Sequence, residues 1–275
     1  MRVAVVGHVE WVEFARVEAV PRPGEIVHAL DRWEEPAGGG AVAAVQLARL
    51  AGGCVLYTAL GSDELGRRSR AELTRLGVEV RAIPEPEPTR RAFTFIDETG
   101  ERTITVLGEK LRPRGGDSRL PWRELAGMDA VYFVSGDADA LRHARPAHVL
   151  VATARELATL REAAVELDAL VGSGEDEAEL YRPGDLDPPP QVVVTTSGGL
   201  GGWVQPGGPF RPAPIPGPVV DAYGCGDSFA AGFTFALARG DSVEQAVALA
   251  ARCGAAVMTG QGPYSAQLDA RSAEP

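Results

Sequence analysis

Short apolar runs and amphipathic stretches alternate along most of the chain. Continuous apolar runs of four to eight residues are typical of buried strands, and a period near 3.6 indicates helices. Buried strands separated by helices indicate an α/β protein with a mostly parallel sheet covered on both faces. The predicted strands are residues 3–7, 54–60, 130–134, 149–152, 169–171 and 192–196. The predicted helices are residues 41–50, 64–76, 155–166, 228–239 and 242–258.

Two parts of the chain look extended instead. Residues 91–97 and 101–107 alternate with a period of two around a short turn, which indicates a β-hairpin. Residues 11–20 and 25–33 flank the turn Pro21-Arg22-Pro23-Gly24. Together they predict a small sheet that acts as a lid, because it is too short for an independent domain. We therefore predict one domain over residues 1–275, with a lid at about 9–35 and 90–107 and a core at 1–8, 36–89 and 108–275.

Composition narrows the possible functions. The chain has 27 basic and 38 acidic residues, a formal net charge of −11, so nucleic acid would be repelled on average. No apolar run reaches the length of about 18 residues that a membrane helix needs. The apolar N-terminus is too short for a signal peptide. Cys54, Cys225 and Cys253 form no C-x-x-C pair, which fits a reducing compartment. We expect a cytoplasmic protein that binds neither nucleic acid nor membranes.

The most distinctive segment is residues 221–232, Asp-Ala-Tyr-Gly-Cys-Gly-Asp-Ser-Phe-Ala-Ala-Gly. Gly224, Cys225 and Gly226 precede a predicted helix, so successive backbone N–H groups can turn toward one point beside its dipole. This arrangement predicts an anion hole for a migrating phosphoryl group. Asp227 at its mouth could accept a proton from an attacking hydroxyl. We expect the helix terminus to lower the pKa of Asp227 and of the Cys225 thiol.

Asp and Gly are also common at ordinary helix starts, which leaves a purely structural interpretation of this segment open. The segment resembles the second signature of the ribokinase-like PfkB carbohydrate kinases, D-T-x-G-A-G-D-x-F-x-x-G. Several motifs in one order are more specific than any one of them. Further segments are similar to that family in the expected order: its P-G-E at 23–25, its first signature at 38–40 and 47–52, its G-x-D-x-x-G at 61–66, its lid hairpin at 97–103, the end of its N-x-x-E-A at 177–180 and its T-x-G-x-x-G at 196–201.

The resemblance implies a ribokinase-like fold, a three-layer αβα core with a small β-sheet lid. It also implies transfer of the γ-phosphoryl group of ATP to a hydroxyl of a small metabolite, such as a sugar or sugar-like compound. Asp227 would be the base, and the backbone of residues 224–226 the anion hole. Lid strands that pair across a homodimer are expected by analogy. The implied cofactor residues are Thr196, Gly198, Gly201 and Gly262 for ATP, Glu177 for Mg²⁺ through water, and Asp221 for a monovalent cation.

Two of the cofactor assignments have simpler explanations. An ordinary strand-to-loop turn would account for Thr196 and the glycines that follow it. A solvated acidic surface that includes Glu175, Asp176 and Glu179 would account for Glu177 equally well.

The departures from the family pattern lie on the acceptor side, where Gly38, Gly39, Val12, Val42 and Glu13 are the predicted binding positions. The family's Asp and Asn that grip two sugar hydroxyls fall on Val12 and Val42, which cannot make those hydrogen bonds. Either the acceptor is less polar or other charged residues have replaced them. The candidates for replacement, each also explicable as a solvated surface charge, are Glu10, Glu13, His8, Glu109 and Lys110.

Two classes of function stay open. The first is the kinase, and the alternative is a non-catalytic ligand-binding or regulatory protein on the kinase scaffold. The lost polar positions motivate the alternative, whereas the intact Gly224-Cys225-Gly226-Asp227 favours the enzyme. A Rossmann dehydrogenase is disfavoured because residues 38–40 do not meet G-x-G-x-x-G, and a P-loop NTPase because G-x-x-x-x-G-K is missing.

Overall fold

The computed structural model describes residues 1–273; residues 274 and 275, which the predicted core includes, lie outside the described residues. The strands are β1 (Val3–Val6), β2 (Glu10–Arg16), β3 (Asp31–Ala37), β4 (Cys54–Gly61), β5 (Val78–Glu85), β6 (Arg91–Ile96), β7 (Arg102–Leu107), β8 (Ala130–Phe133), β9 (Val149–Thr153), β10 (Ala169–Ser173), β11 (Val192–Thr196), β12 (Gly202–Gln205) and β13 (Gly208–Phe210). The helices are α1 (Gly39–Ala51), α2 (Glu64–Arg75), α3 (Ala138–Ala144), α4 (Leu157–Ala163), α5 (Cys225–Arg239) and α6 (Val243–Val257).

The main sheet has nine strands within residues 1–273, in the order β13-β12-β11-β10-β9-β8-β1-β4-β5. The strands from β11 to β5 are parallel, and β12 and β13 add an antiparallel edge. Helices α1, α2, α5 and α6 contribute to the core on one face, and α3 and α4 to the core on the other. Strands β1, β8 and β9 are buried along their whole length, which explains their continuous apolar runs. The predicted three-layer αβα core is confirmed.

A second sheet of four strands, here called the lid, has the order β3-β2-β6-β7. Strand β2 pairs antiparallel with β3 and parallel with β6, and β6 and β7 form the predicted hairpin. Because side chains alternate along a strand, Glu10, Val12 and Phe14 share one face of β2 and Glu13 lies on the other. The small β-sheet lid of the prediction is confirmed.

The lid is closed over the segment that precedes α5. The backbone N–H of Ala222 donates to the carbonyl oxygen of Gly100 at 2.9 Å, and Arg16 Nη2 donates to the carbonyl of Val220 at 3.2 Å. The ring of Phe14 packs edge-on against Tyr223 at a centroid distance of 5.0 Å. The lid therefore contacts the segment that leads into the predicted anion hole.

Several predicted boundaries are wrong. The helix predicted at 155–166 is a 3₁₀ turn at Ala154–Glu156 followed by α4, which ends where Ala164 adopts a φ of 51°. The lid strands are shorter than predicted, because the chain leaves the sheet between Arg16 and Asp31. Helix α5 begins three residues early, so Asp227 lies inside its first turn. Strands β5, β12 and β13 and helix α3 were missed, because each is short or only partly buried.

The described helices include none with the length and apolar content needed to cross a lipid bilayer.

Candidate active site

Three backbone amides at the start of α5 precede its ladder of helical hydrogen bonds. Gly224 precedes the helix with a φ of 81°, a left-handed conformation that favours glycine. The N–H of Ser228 makes the first helical hydrogen bond, to the carbonyl of Gly224 at 2.9 Å, so the N–H groups of residues 225–227 precede this ladder. A Cβ built on Gly226 would meet no atom within 4 Å. The space beside Gly226 that a side chain would take is therefore open.

Asp227 lies beside the start of α1. A Cβ built on Gly39 would lie 2.8 Å from Asp227 Oδ1, so the carboxylate directly faces this glycine. Burial raises the pKa of Asp227 to about 6; the charge of Glu179 also raises it, and Arg102 and Arg155 lower it. The prediction that the helix terminus lowers this pKa is wrong, because the loss of water outweighs the dipole. The carboxylate is still mostly ionised at neutral pH.

We expect this raised pKa to appear in the pH dependence of the reaction. Only the ionised carboxylate can accept a proton, so kcat/KM should fall about tenfold per pH unit below a midpoint near the pKa of Asp227. Steady-state rates between about pH 4.5 and 8, with far-UV circular dichroism to verify folding, would measure it. A rate that stays constant down to about pH 4.5 would show that no group with this raised pKa limits turnover.

Cys225 is half-buried, and burial raises the pKa of its thiol. The prediction of a lowered pKa is therefore wrong, for the same reason as at Asp227. We expect iodoacetamide at neutral pH to alkylate Cys225 at least about tenfold more slowly than free glutathione, because the thiolate is the nucleophile. Peptide mass spectrometry would measure the rate, with the urea-unfolded chain as the control. Alkylation as fast as that of glutathione would contradict the raised pKa.

Val12 and Val42 do not line an open acceptor surface. Both are fully buried in the core that also contains Phe14 and Tyr223. A Cβ built on Gly224 would lie 2.9 Å from Val42 Cγ1, so Val42 packs directly behind the anion-hole segment. Apolar packing therefore occupies the positions at which the family's sugar-binding Asp and Asn would stand.

Glu13 is also kept away from the cleft. It forms an ion pair with Arg91, and strand alternation places it on the opposite face of β2 from Glu10. Glu109, another candidate, lines a cavity of about 470 Å³ whose lining residues do not include Asp227. The structure therefore does not bring these two acids to the cleft beside Asp227.

Gly38 and Gly39 lie between two carboxylates. Gly38 has a φ of 83°, and a Cβ there would lie 3.1 Å from Glu10 Cγ and 3.3 Å from His8 Cδ2. The next residue, Gly39, faces Asp227. Glycine at these two positions therefore lets the backbone approach Glu10 and Asp227 more closely than a residue with a Cβ could.

A buried charged cluster adjoins these glycines. Glu10 Oε1 lies 3.4 Å from His8 Nε2 and 3.1 Å from Arg90 Nη1, and Lys110 pairs with Glu156 at 3.2 Å nearby. Burial lowers the pKa of His8. For Glu10 the pKa is also lowered, because the hydrogen bond from His8 and the charge of Arg90 outweigh the effect of burial. Sequence reasoning missed Arg90, which carries no local signal because it lies 80 residues along the chain from Glu10.

Tyr223 was also missed, although it lies inside the signature segment. It is buried, and burial together with the charges of Glu10 and Asp227 raises the pKa of its phenol. Its phenol therefore lies close enough to Glu10 and Asp227 for both charges to act on it.

Of the predicted ATP positions, Thr196 ends β11, Gly198 and Gly201 lie in the loop that follows it, and Gly262 lies in the segment after α6. The N–H of Gly174 donates to the carbonyl of Thr196 at 2.8 Å, and a Cβ on Gly198 would lie 3.3 Å from the Glu175 carboxylate. Gly201 and Gly262 have packing reasons to be glycine. A Cβ would overlap the carbonyl of Phe210 at Gly201 and the Glu35 carboxylate at Gly262.

The two predicted metal-binding residues, Glu177 and Asp221, differ in burial and in hydrogen bonding. Glu177 is exposed, whereas Glu179 accepts a hydrogen bond from the N–H of Ser173 at 3.0 Å, and its charge raises the pKa of Asp227. Asp221 is fully buried and joins two loops, accepting from the N–H groups of Tyr223 at 2.8 Å and Gly262 at 2.9 Å. Burial raises the pKa of Asp221.

Residues 1–273 contain no cluster of three His, Cys, Asp or Glu side chains arranged for a metal. Mg²⁺ in kinase sites keeps several waters and binds phosphate oxygens with only one or two carboxylates. The exposed Glu177 is unengaged enough for such a contact through water, whereas Glu179, whose charge raises the pKa of Asp227, already pairs with Arg155 at 2.5 Å.

Comparison with known proteins identifies the class. The sequence model of the pfkB family of carbohydrate kinases matches residues 1–135 and 123–270. An ATP-dependent ribose-1-phosphate kinase from Halopiger xanaduensis is 29% identical over 308 residues, covering 97% of this chain and 95% of that protein. The chain belongs to the pfkB family of carbohydrate kinases, and the predicted enzyme class, a small-molecule kinase, is confirmed.

Solved structures agree on the fold. The ribokinase from Cryptococcus neoformans in complex with ADP superposes with a TM-score of 0.76 at 21% identity, covering 99% of this chain and 98% of that chain. The ribokinase from Thermotoga maritima gives a TM-score of 0.75 at 19% identity, with coverage of 99% and 98%. At these identities the two structures establish the common fold.

Proposed function

We propose that this protein transfers the γ-phosphoryl group of ATP to a hydroxyl of a sugar or sugar phosphate, with Asp227 as the base. One observation carries the proposal: the Asp227 carboxylate and the amides of residues 225–227 share the first turn of α5, opposite Gly39. The ribose-1-phosphate kinase relative makes a phosphorylated ribose the first acceptor to test.

In the proposed mechanism the acceptor lies between Gly39 and Asp227. The Asp227 carboxylate accepts the hydroxyl proton as the acceptor oxygen bonds to the γ-phosphorus and the bond to the ADP oxygen breaks. The amides at the start of α5 donate to the oxygens of the migrating group, where charge develops. The closed lid, joined to Ala222 through Gly100, limits the access of water to the transferred group.

The cofactor assignments belong to the same proposal. ATP lies along the loops that contain Thr196 and Gly198. Magnesium, when bound, neutralises charge on the ATP phosphates, and the exposed Glu177 stays our candidate to hold it through water. A monovalent cation near Asp221 stays a prediction.

The proposed function includes two further predictions, a homodimer and a cytoplasmic location. The edge strand β7 exposes Ile104, Val106 and Leu107, which supports the predicted homodimer through the lid. The three cysteines of the chain are free, which fits a cytoplasmic kinase.

A direct assay tests the function. The protein is incubated with ATP, Mg²⁺ and one acceptor at a time from ribose, ribose 1-phosphate, ribose 5-phosphate, fructose and adenosine. Mass spectrometry should detect an acceptor 80 Da heavier and an equal amount of ADP, since one phosphoryl group replaces one hydrogen. ATP binding without any phosphorylated product would favour the non-catalytic alternative.

A further inference from the structure

One arginine lies at the carboxyl end of β9. Arg155 follows β9 after Ala154, and its backbone N–H donates to Thr153 Oγ1 at 3.3 Å. Strands β9, β10 and β11 are parallel neighbours, so their carboxyl ends meet at the same edge of the sheet. Ligands of open α/β sheets bind in the crevice outside these ends. Arg155 therefore lies on the same edge as the loop that follows Thr196.

Two carboxylates of the loop after β10 hold the side chain of Arg155. Its Nη2 lies 2.6 Å from Asp176 Oδ2 and 2.5 Å from Glu179 Oε1, and Glu179 also accepts from the N–H of Ser173. A guanidinium carries five N–H donors, and both contacts use the same nitrogen. Nε and Nη1 donate no hydrogen bond to residues 1–273, and 46% of the side chain is exposed. The guanidinium is therefore held in place and keeps donors for a ligand.

The positive charge of Arg155 acts on the proposed base. Burial and the charge of Glu179 raise the pKa of Asp227, and Arg155 is one of the two cations that oppose them. Helix α5 packs against β8 and β9, which brings its first turn close to the residues that follow β9. The γ-phosphoryl group passes Asp227 in the proposed transfer. The charge of Arg155 therefore lies within range of that group as well.

The loop after β10 is strongly acidic. Residues 173–179 include four carboxylates and no basic residue, and the family motif N-x-x-E-A begins here with Gly174 in place of asparagine. These charges would repel the phosphates of ATP unless cations balance them. Besides magnesium, Arg155 is a cation of the protein that lies directly beside this loop.

We propose that Arg155 is a further catalytic residue, which donates hydrogen bonds to the γ-phosphoryl group of ATP as that group is transferred. Asp176 and Glu179 position the guanidinium, and its remaining N–H groups bind phosphate oxygens, a pairing that suits the geometry of a guanidinium. Charge on the migrating group is spread over its equatorial oxygens, so a donor held in place stabilises it where it develops. This assignment rests on the proposed function.

Nucleotide affinities test the assignment without an acceptor. Calorimetric titration with Mg²⁺ present gives the Kd of the parent protein and of Arg155→Gln for ADP and for AMP-PNP, a non-hydrolysable ATP analogue that carries the γ-phosphoryl group. Loss of a charge-assisted hydrogen bond should raise the Kd for AMP-PNP at least about tenfold. The Kd for ADP should change less than about threefold, because ADP lacks the group that Arg155 binds.

Arg161→Gln is the matched control, since Arg161 lies on α4, is exposed and pairs with Asp185. It should keep both Kd values. If Arg155→Gln does not fold, Arg155→Lys should show the same selective loss, because an ammonium lacks the spread donors of a guanidinium. Equal losses for both nucleotides, or no loss, in a folded variant overturn the role of Arg155 alone. Binding of neither nucleotide by the parent protein overturns the proposed function instead.

Discussion

Asp227→Asn is expected to lower kcat by about a thousandfold, because a general base contributes about 10²–10⁴ to the rate and asparagine cannot accept the proton. ATP binding should be nearly unchanged, since the backbone amides of α5 stay in place. Steady-state kinetics with the best acceptor and calorimetric titration with ATP would measure the two quantities. Turnover within about tenfold of the parent would remove Asp227 from the role of base.

Stability provides the control for Asp227→Asn. The folded-state pKa of this acid is raised from 3.8 to about 6. Ionisation of Asp227 therefore destabilises the fold increasingly as the pH rises from 3.8 to about 6. Above this range the free energy of unfolding is lower by about 1–3 kcal/mol than it would be without the shift. The asparagine variant should be at least as stable as the parent at pH 8, so lost turnover cannot be attributed to unfolding. Glu244→Gln, at an exposed acid in the first turn of α6, should keep the parent kcat and lower the free energy of unfolding by less than about 1 kcal/mol.

The second large effect is expected at Gly39. A Cβ there would lie 2.8 Å from Asp227 Oδ1 and 3.0 Å from Val134 Cγ1, so alanine must displace the carboxylate. The neighbouring atoms are side-chain ends that can move, so the fold should persist. Misplacement of a catalytic group by about 1 Å can cost about 100-fold, and we expect Gly39→Ala to lower kcat by about 10–100-fold.

Gly53→Ala is the matched control for Gly39→Ala, because a Cβ on Gly53 would meet no atom within 4 Å. It should keep the parent kcat. Thermal denaturation of both variants would separate a displaced carboxylate from a destabilised fold. Full turnover in a folded Gly39→Ala would show that Asp227 can move without loss of the proposed chemistry.

The order of elements was largely predictable because each strand of the parallel sheet is buried on both faces and reads as a continuous apolar run. The edge strand β5 was not predictable in this way, because exposed and half-buried residues alternate with buried ones along its length. Residues 224–227 could be recognised from the sequence, because the glycine spacing before a helix involves only neighbouring residues. Val12 and Val42 illustrate the limit, since both are fully buried in a core formed by the lid, α1 and α5.

The amino-acid sequence by itself determined the αβα core, the lid hairpin and the glycine-rich start of α5, because apolar periodicity and glycine spacing act over neighbouring residues. Only the tertiary structure decided the electrostatics and the acceptor side. The pKa values of Asp227 and Cys225 are raised because distant elements exclude water from them. Glu10, His8 and Arg90 meet because the parallel pairing of β2 with β6 joins segments about 80 residues apart, which no local pattern encodes.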